Sequence, residues 1–136
     1  MKRKLLMTVI FIISLSTMLM DWFGGQRGVQ DISGLILLNN PIAAACMILT
    51  LIGIWTHYGE TSYMLIYVGL TGIMMMEIYE FLTWHILTIS GSFNLALSFD
   101  WCNPEFYIAV MSMIATLLIY RYYFQKMDLT KSQDYV

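Results

Sequence analysis

Charged residues are scarce in this sequence, and their scarcity excludes most soluble folds. Asp, Glu, Lys and Arg make up 12% of the 136 residues, whereas hydrophobic residues make up 59%, and the mean hydropathy is +0.68. A soluble domain usually carries about 25% charged residues, and a chain this small cannot hide such an apolar surplus in one core. The composition predicts a single integral membrane domain, residues 1–136, solvated by a lipid bilayer.

Cysteine is also scarce, which excludes two further classes of protein. Cys46 and Cys102 are too few for a disulfide framework, and neither belongs to a C-x-x-C pair of a thiol-redox enzyme. Their predicted depths differ by about 10 Å, beyond the Cα separation that a disulfide allows, so both are predicted to be free thiols. No catalytic or ligand-binding motif stands out, so the sequence predicts no enzyme, no cofactor, no metal and no nucleic-acid partner.

Four apolar stretches are predicted to form transmembrane helices, each of about 17 residues or more. They cover residues 5–23, 41–57, 62–82 and 104–124, with outer segments 24–40 and 83–103 and a tail at 125–136. The pairs Asn40-Pro41 and Asn103-Pro104 indicate helix starts, because Asn caps a helix and Pro suits its first position. Two alternatives stay open: a cleaved signal peptide over the first 16 residues, and a second helix that begins at Gly34 with a proline kink.

Basic residues lie mainly at the two ends of the chain, which predicts the orientation. Only Arg27 falls in a predicted outer segment; the others are Lys2, Arg3, Lys4, Arg121, Lys126 and Lys131. Cytoplasmic segments of membrane proteins are enriched in Lys and Arg. We therefore expect a multi-pass protein of the plasma membrane with an even number of crossings and both termini in the cytoplasm.

The second outer segment alternates between apolar and polar residues. From Ser92 to Trp101 every second residue is apolar, which is the period of a half-buried strand. Residues 84–89 precede it across Ser90-Gly91, a plausible hairpin turn. The fold class predicted is an all-α membrane protein: a four-transmembrane-helix bundle with a small extended or β-hairpin cap on the outer face. The alternative is an interfacial helix that is broken at Gly91.

Two acidic residues in the third apolar stretch are the main candidates for chemistry. Glu77 and Glu80 are three residues apart and share one helix face, predicted to lie near the outer edge of the hydrocarbon layer. A carboxyl group there suggests proton coupling or, together with Asp100, a cation site. The other interpretation is that both carboxyls only meet headgroup water. The acidic outer face as a whole would suit a cation or a basic peptide.

The remaining candidates are packing and interfacial residues. Small residues predict close helix approach, and aromatic residues near the ends of the stretches predict anchors at the membrane–water interface. His57 and His85 fall on opposite sides of the membrane, so they do not form a haem pair and are predicted to be polar anchors. The packing residues are Ala43, Ala44, Ala45, Gly69 and Gly72, and the anchors are Trp22, Trp101, Tyr120, Tyr122 and Tyr123.

For function, the sequence favours a non-enzymatic accessory protein: a small subunit, assembly factor or immunity-type factor that docks to a larger membrane partner or forms a homo-oligomer. Small-residue faces and the lack of a catalytic set support this prediction. The alternative is a small transporter or channel subunit in which Glu77 and Glu80 couple to protons or cations.

Overall fold

The computed structural model describes residues 2–25, 29–56 and 59–133. Within these ranges the chain is mostly helical, with one two-stranded antiparallel sheet. The elements are α1 (Lys2–Ser16), β1 (Asp21–Phe23), β2 (Ile32–Ser33), α2 (Pro41–Trp55), α3 (Glu60–His85), α4 (Leu95–Asp100) and α5 (Pro104–Gln133). Helices α1, α2, α3 and α5 form a bundle. The sheet and α4 lie together at one end, the cap end, and the opposite end is called the tail end.

Contacts at the tail end show that the four long helices alternate in direction. Lys4, near the start of α1, donates hydrogen bonds of 2.8 Å to the carbonyl oxygens of Trp55 and Thr56 at the end of α2. The ring of Tyr63, near the start of α3, packs edge-to-face on Phe124 of α5 at 5.3 Å. The start of α1 and the far part of α5 therefore lie at the same end of the bundle.

The helix boundaries follow local sequence signals. The Asn40 side chain accepts a hydrogen bond of 3.0 Å from the backbone N–H of Ile42, so Asn40 caps α2 at Pro41. Residues Gly34–Asn39 form a separate 3-10 helix. The first helix is shorter than the predicted 5–23, because α1 ends at Ser16, a 3-10 turn follows, and residues 21–23 form β1.

Among the described residues, two helical segments are long and apolar enough to cross a membrane, so the predicted four crossings are not confirmed. One runs from Glu60 to Ser90 and the other from Pro104 to Phe124. Helix α2 is apolar but has only 15 residues. The helix α5 continues past Phe124 to Gln133, so much of the predicted tail has helical backbone.

The predicted β-hairpin over residues 84–101 is wrong, and the interfacial-helix alternative describes this segment better. A π-helical turn, Ile86–Ser90, extends α3 and ends at Gly91, whose φ of 64° and N–H bond to the Ile86 oxygen make it a helix terminator. The Asn94 side chain then accepts from the N–H of Ala96 and caps α4. The strands lie elsewhere: β1 occupies the last residues of the predicted first helix, and β2 lies in the first outer segment.

Residues 21–24 are joined to residues 101–103 by hydrogen bonds to backbone oxygens. The Gly24 N–H donates to the Trp101 oxygen at 3.0 Å, and the Asn103 N–H donates to the Trp22 oxygen at 2.8 Å. The Asn103 side chain also donates to the Asp21 oxygen at 3.0 Å. The sheet, α4 and the start of α5 therefore form one cap over the end of the bundle.

Candidate functional site

Glu77 occupies a core position of α3. Buried residues recur along this helix every three or four positions, which is the spacing of one helix face: Ser62, Ile66, Gly69, Leu70, Ile73, Glu77, Glu80, Phe81 and Trp84. Glu77 is only 1% exposed and lies in this row where an apolar side chain would ordinarily pack. The helix period therefore turns the carboxyl group into the bundle rather than toward the outside.

Glu77 lies well inside its helical segment. The segment runs from Glu60 to Ser90, 31 residues, because α3 continues to His85 and a π-helical turn extends the helix to Ser90. Glu77 lies about 26 Å from the start of this segment and about 20 Å from its end at 1.5 Å per residue. The position of Glu77 relative to the edge of the hydrocarbon layer stays a prediction.

Two buried polar atoms on this face have no hydrogen-bond partner in the described ranges. They are one carboxyl oxygen of Glu77, Oε2, and the indole nitrogen Nε1 of Trp84. Most buried polar side-chain atoms in native proteins are hydrogen-bonded, so an unpaired one calls for a specific explanation. The Glu77 carboxyl thus has an open acceptor position inside the bundle.

The predicted carboxylate trio does not come together. Glu80 lies one turn from Glu77 and is 8% exposed, whereas Asp100 is exposed at the end of α4. Among residues 2–25, 29–56 and 59–133, no three His, Cys, Asp or Glu side chains are placed to hold a metal ion. Glu77 and Glu80 therefore lie on the same buried face of α3, whereas Asp100 is exposed on the surface.

His85 is a buried connector and not a polar anchor at the surface. Its ring is fully buried, Nε2 accepts a hydrogen bond of 3.0 Å from the Asn94 N–H, and Nδ1 lies 3.2 Å from the Ser98 hydroxyl. These contacts tie the end of α3 to the start and middle of α4. Sequence reasoning missed this role, since no spacing rule relates residue 85 to residues 94 and 98.

Aromatic side chains fill the space between α3, β1 and α5 at the cap end. Phe23 stacks on Trp84 at 5.1 Å with an interplanar angle of 6°, and Phe81 stacks on Phe106 at 5.2 Å. Trp22 packs edge-to-face on Phe106 at 5.5 Å and is fully buried. Trp22 is therefore a core residue, contrary to the predicted interfacial anchor, because the turn after α1 directs it inward.

The other predicted anchors divide into buried and exposed residues. Tyr120 is buried and its hydroxyl donates to the Met7 oxygen, so it joins α5 to α1 and is not an exposed anchor. Tyr122 is exposed, while Tyr123 and Trp101 are partly buried. Tyr122 has the exposure that the anchor role requires.

Small residues lie where α2 and α3 approach each other most closely. A Cβ added to Gly69 would be 2.2 Å from the Thr50 hydroxyl oxygen and 2.7 Å from the Cys46 carbonyl oxygen, and one added to Gly72 would be 2.4 Å from the Cys46 sulfur. Gly53, which sequence reasoning did not single out, meets Ile66 in the same way at 2.7 Å.

The three alanines of α2 have different environments. Ala43 is fully buried, Ala44 is partly buried and Ala45 is exposed. Only Ala43 therefore lies fully inside the bundle.

The two thiols are free, as the sequence predicts. Burial raises the pKa of the Cys102 thiol to about 11, against a smaller opposite effect of its hydrogen bond with Tyr107. Cys102 is therefore protonated at neutral pH and is a poor nucleophile. Of the other predicted residues, His57 and Arg27 lie outside the described ranges.

Several of the outer acidic residues line a shallow basin at the cap end. The basin has a volume of about 550 Å³ and is lined by Met20, Asp21, Asp31, Asn103, Pro104 and Glu105. Glu77 and Glu80 are not among its lining residues. The acidic residues predicted to form one outer face therefore occupy at least two separate places.

Comparison of this chain with protein-family models, with curated proteins and with solved structures finds no match. The function is therefore argued from the geometry of Glu77 and its neighbours.

Proposed function

We propose that this chain is a small four-crossing membrane protein that binds and releases protons or small cations at Glu77, as a transporter or as a channel subunit. The observation that carries the proposal is the Glu77 carboxyl itself: 1% exposed, central in a 31-residue apolar helical segment, with one oxygen unpaired. A bound proton or cation neutralises the negative charge of the carboxylate at this buried position.

Four crossings are supported by helix lengths and directions. Helix α1 and the 3-10 turn Thr17–Leu19 together reach about 28 Å, close to the roughly 30 Å of a hydrocarbon core. Helix α2 alone reaches about 22 Å, and the separate 3-10 helix Gly34–Asn39 precedes it across Asn40, whose backbone is extended. The alternating helix directions support a topology with both termini on one side, and the basic residues favour the cytoplasm.

The energetic argument concerns the charged form of Glu77. An ionised side chain at the bilayer centre costs about 2.5–3.5 kcal/mol on insertion scales. An unpaired carboxylate meets this cost in full, and a bound proton or cation removes it. A coupling carboxyl works by exchanging a bound proton for a bound cation, or by passing between a proton-bound form and an ionised form during transport.

The test is a flux measurement on the purified protein in lipid vesicles that hold a pH-sensitive dye. A pH gradient is expected to drive proton movement through the wild-type protein, and Glu77→Gln is expected to abolish it, because the amide keeps the shape and cannot exchange a proton. Glu60→Gln is the matched control, since Glu60 begins the same helix but is exposed. Its flux should equal that of the wild type.

Equal fluxes in the wild type and in Glu77→Gln would overturn the proposal. If the wild type moves protons only when a second small cation is present, Glu77 exchanges protons for that cation. In that case Glu77→Gln must abolish both fluxes together.

A second candidate function is that of an accessory subunit or an assembly or immunity-type factor that docks to a larger membrane partner. The observation that favours it is the length of α5, which continues as helix from Phe124 to Gln133, beyond the apolar segment. Nine further residues extend the helix by about 13 Å, enough to reach a partner outside the bilayer. Removal of residues 125–136 should then abolish co-purification with a partner while leaving the bundle folded.

A further inference from the structure

We infer that His85 is a pH-sensitive latch that holds α4 closed over the cap-end side of the Glu77 site. The inference rests on the proposed function only where it treats Glu77 as the proton-binding group. The latch itself is argued from the hydrogen bonds of the His85 ring, which join the end of α3 to α4 across the turn at Gly91.

The hydrogen bonds of His85 fix its protonation state. Nε2 accepts a hydrogen bond from the Asn94 N–H, so this nitrogen carries no proton. In the neutral ring the proton is then on Nδ1, which donates to the Ser98 hydroxyl 3.2 Å away. Protonation makes both nitrogens donors. The Nε2 hydrogen then faces the Asn94 N–H, and one bond of the latch becomes a repulsion.

No carboxylate in the described part of the chain pairs with the ring to compensate for this loss, and its aromatic neighbours are Trp84 at 6.0 Å and Phe93 at 6.2 Å. The titratable groups on the neighbouring elements of the cap end are Glu77, Tyr79 and Glu80 of α3, Asp100 of α4, Asp21 of β1, Asp31 before β2, Cys102, and Glu105 and Tyr107 of α5. Within the described part of the chain, the hydrogen-bond partners of the ring are Asn94 and Ser98, and none of these titratable groups pairs with it. The ring is fully buried. A proton on His85 therefore favours release of α4 over retention of the closed cap.

Release of α4 would loosen the packing around Phe81, on the face of α3 that carries Glu77. Phe99 of α4 packs edge-to-face on Phe81 at 5.1 Å, and Phe81 is one turn beyond Glu77 and adjacent to Glu80. When α4 leaves, Phe99 leaves with it, while Phe106 stays stacked on Phe81 and Phe23 stays stacked on Trp84. Acidic medium on the cap side would in this way widen the access of water toward the carboxyl that receives the proton.

Hydrogen–deuterium exchange on the full-length protein in lipid nanodiscs tests the latch without any flux. Protection of the amides of residues 94–102, corrected for the intrinsic exchange rate, should fall about tenfold between about pH 8 and about pH 5, the size expected for the loss of one hydrogen bond. His85→Gln keeps an acceptor oxygen that does not titrate, so its protection should not change with pH. His85→Ala should be unprotected at both values.

Unchanged protection of the wild type between the two pH values would overturn the latch, and so would an acid-induced loss in His85→Gln as large as that of the wild type. The wild-type comparison needs no variant, so a folding defect does not weaken it. Flux through the same preparations separates the two proposals. If acid releases α4 but Glu77→Gln leaves the flux unchanged, the latch is supported and the coupling role of Glu77 is overturned. If Glu77→Gln abolishes the flux but acid does not release α4, the latch alone is overturned.

Discussion

Replacement of Trp22 by alanine is expected to lower the free energy of unfolding by about 3–5 kcal/mol, which is the cost of removing a large buried aromatic side chain. Trp22 is fully buried, packs on Phe106 at 5.5 Å and donates from its indole nitrogen to the Thr17 oxygen at 3.1 Å. A Cβ added to Gly34 would be 2.3 Å from the indole ring, so the ring fills the space beside that backbone. Loss of the ring leaves a cavity where β1, the first 3-10 turn and α5 meet.

Trp55→Ala is the matched control for this prediction. Trp55 is 54% exposed at the end of α2, so its removal leaves no cavity and should cost less than about 1 kcal/mol. The measurement is unfolding of the purified variants in mixed micelles as the fraction of denaturing detergent rises. Equal midpoints for the two variants would show that Trp22 is not a core residue.

Replacement of Gly69 by alanine is the second large effect, with an expected loss of about 2–3 kcal/mol. The new methyl group would approach the Thr50 hydroxyl at 2.2 Å and the Cys46 carbonyl oxygen at 2.7 Å. The second of these is backbone, which can move only if α2 moves. Thr50 also donates to the Cys46 oxygen at 2.9 Å within α2, and this hydrogen bond holds the hydroxyl in the path of the new methyl group.

Alanine substitutions at two further glycines are expected to give smaller losses of unfolding free energy than Gly69→Ala. Gly72→Ala should cost less, because its methyl group meets the Cys46 sulfur, the end of a side chain that can turn away. Gly59→Ala should cost least from packing, since no atom of the described residues lies within 4 Å of an added Cβ there. The same unfolding titration gives the order. A Gly72→Ala variant less stable than Gly69→Ala would contradict the close approach of α2 and α3.

Periodicity and cap residues made the helices predictable from sequence. The Asn-Pro pairs coincide with the starts of α2 and α5 because a side-chain cap and a ring-fixed φ act within two or three residues. The length argument for the third apolar stretch was correct in requiring continuation past Glu77. The predicted end at residue 82 is too early, because residues 84–89, predicted to form a strand of the hairpin, continue the helix to His85 and then as a π-helical turn to Ser90.

The cap could not be predicted in the same way. Alternation from Ser92 to Trp101 suits a strand, but a strand needs a partner, and the segment beside it is already helical. A glycine with a positive φ suits both a hairpin turn and a helix terminus, so the presence of Gly91 in the sequence does not distinguish the two structures. The contacts of His85 depend on that tertiary choice, and for this reason the sequence predicts an interfacial anchor where the structure has a buried ring.

The central claim is that Glu77 exchanges a proton inside the bundle, and infrared difference spectra test it most directly. Spectra of the reconstituted wild type, recorded as the pH is stepped between alkaline and acidic buffer, should contain a protonated carboxylic acid C=O band from an apolar environment. That band should be missing from Glu77→Gln and present in Glu60→Gln. Identical spectra for the wild type and Glu77→Gln would contradict the account.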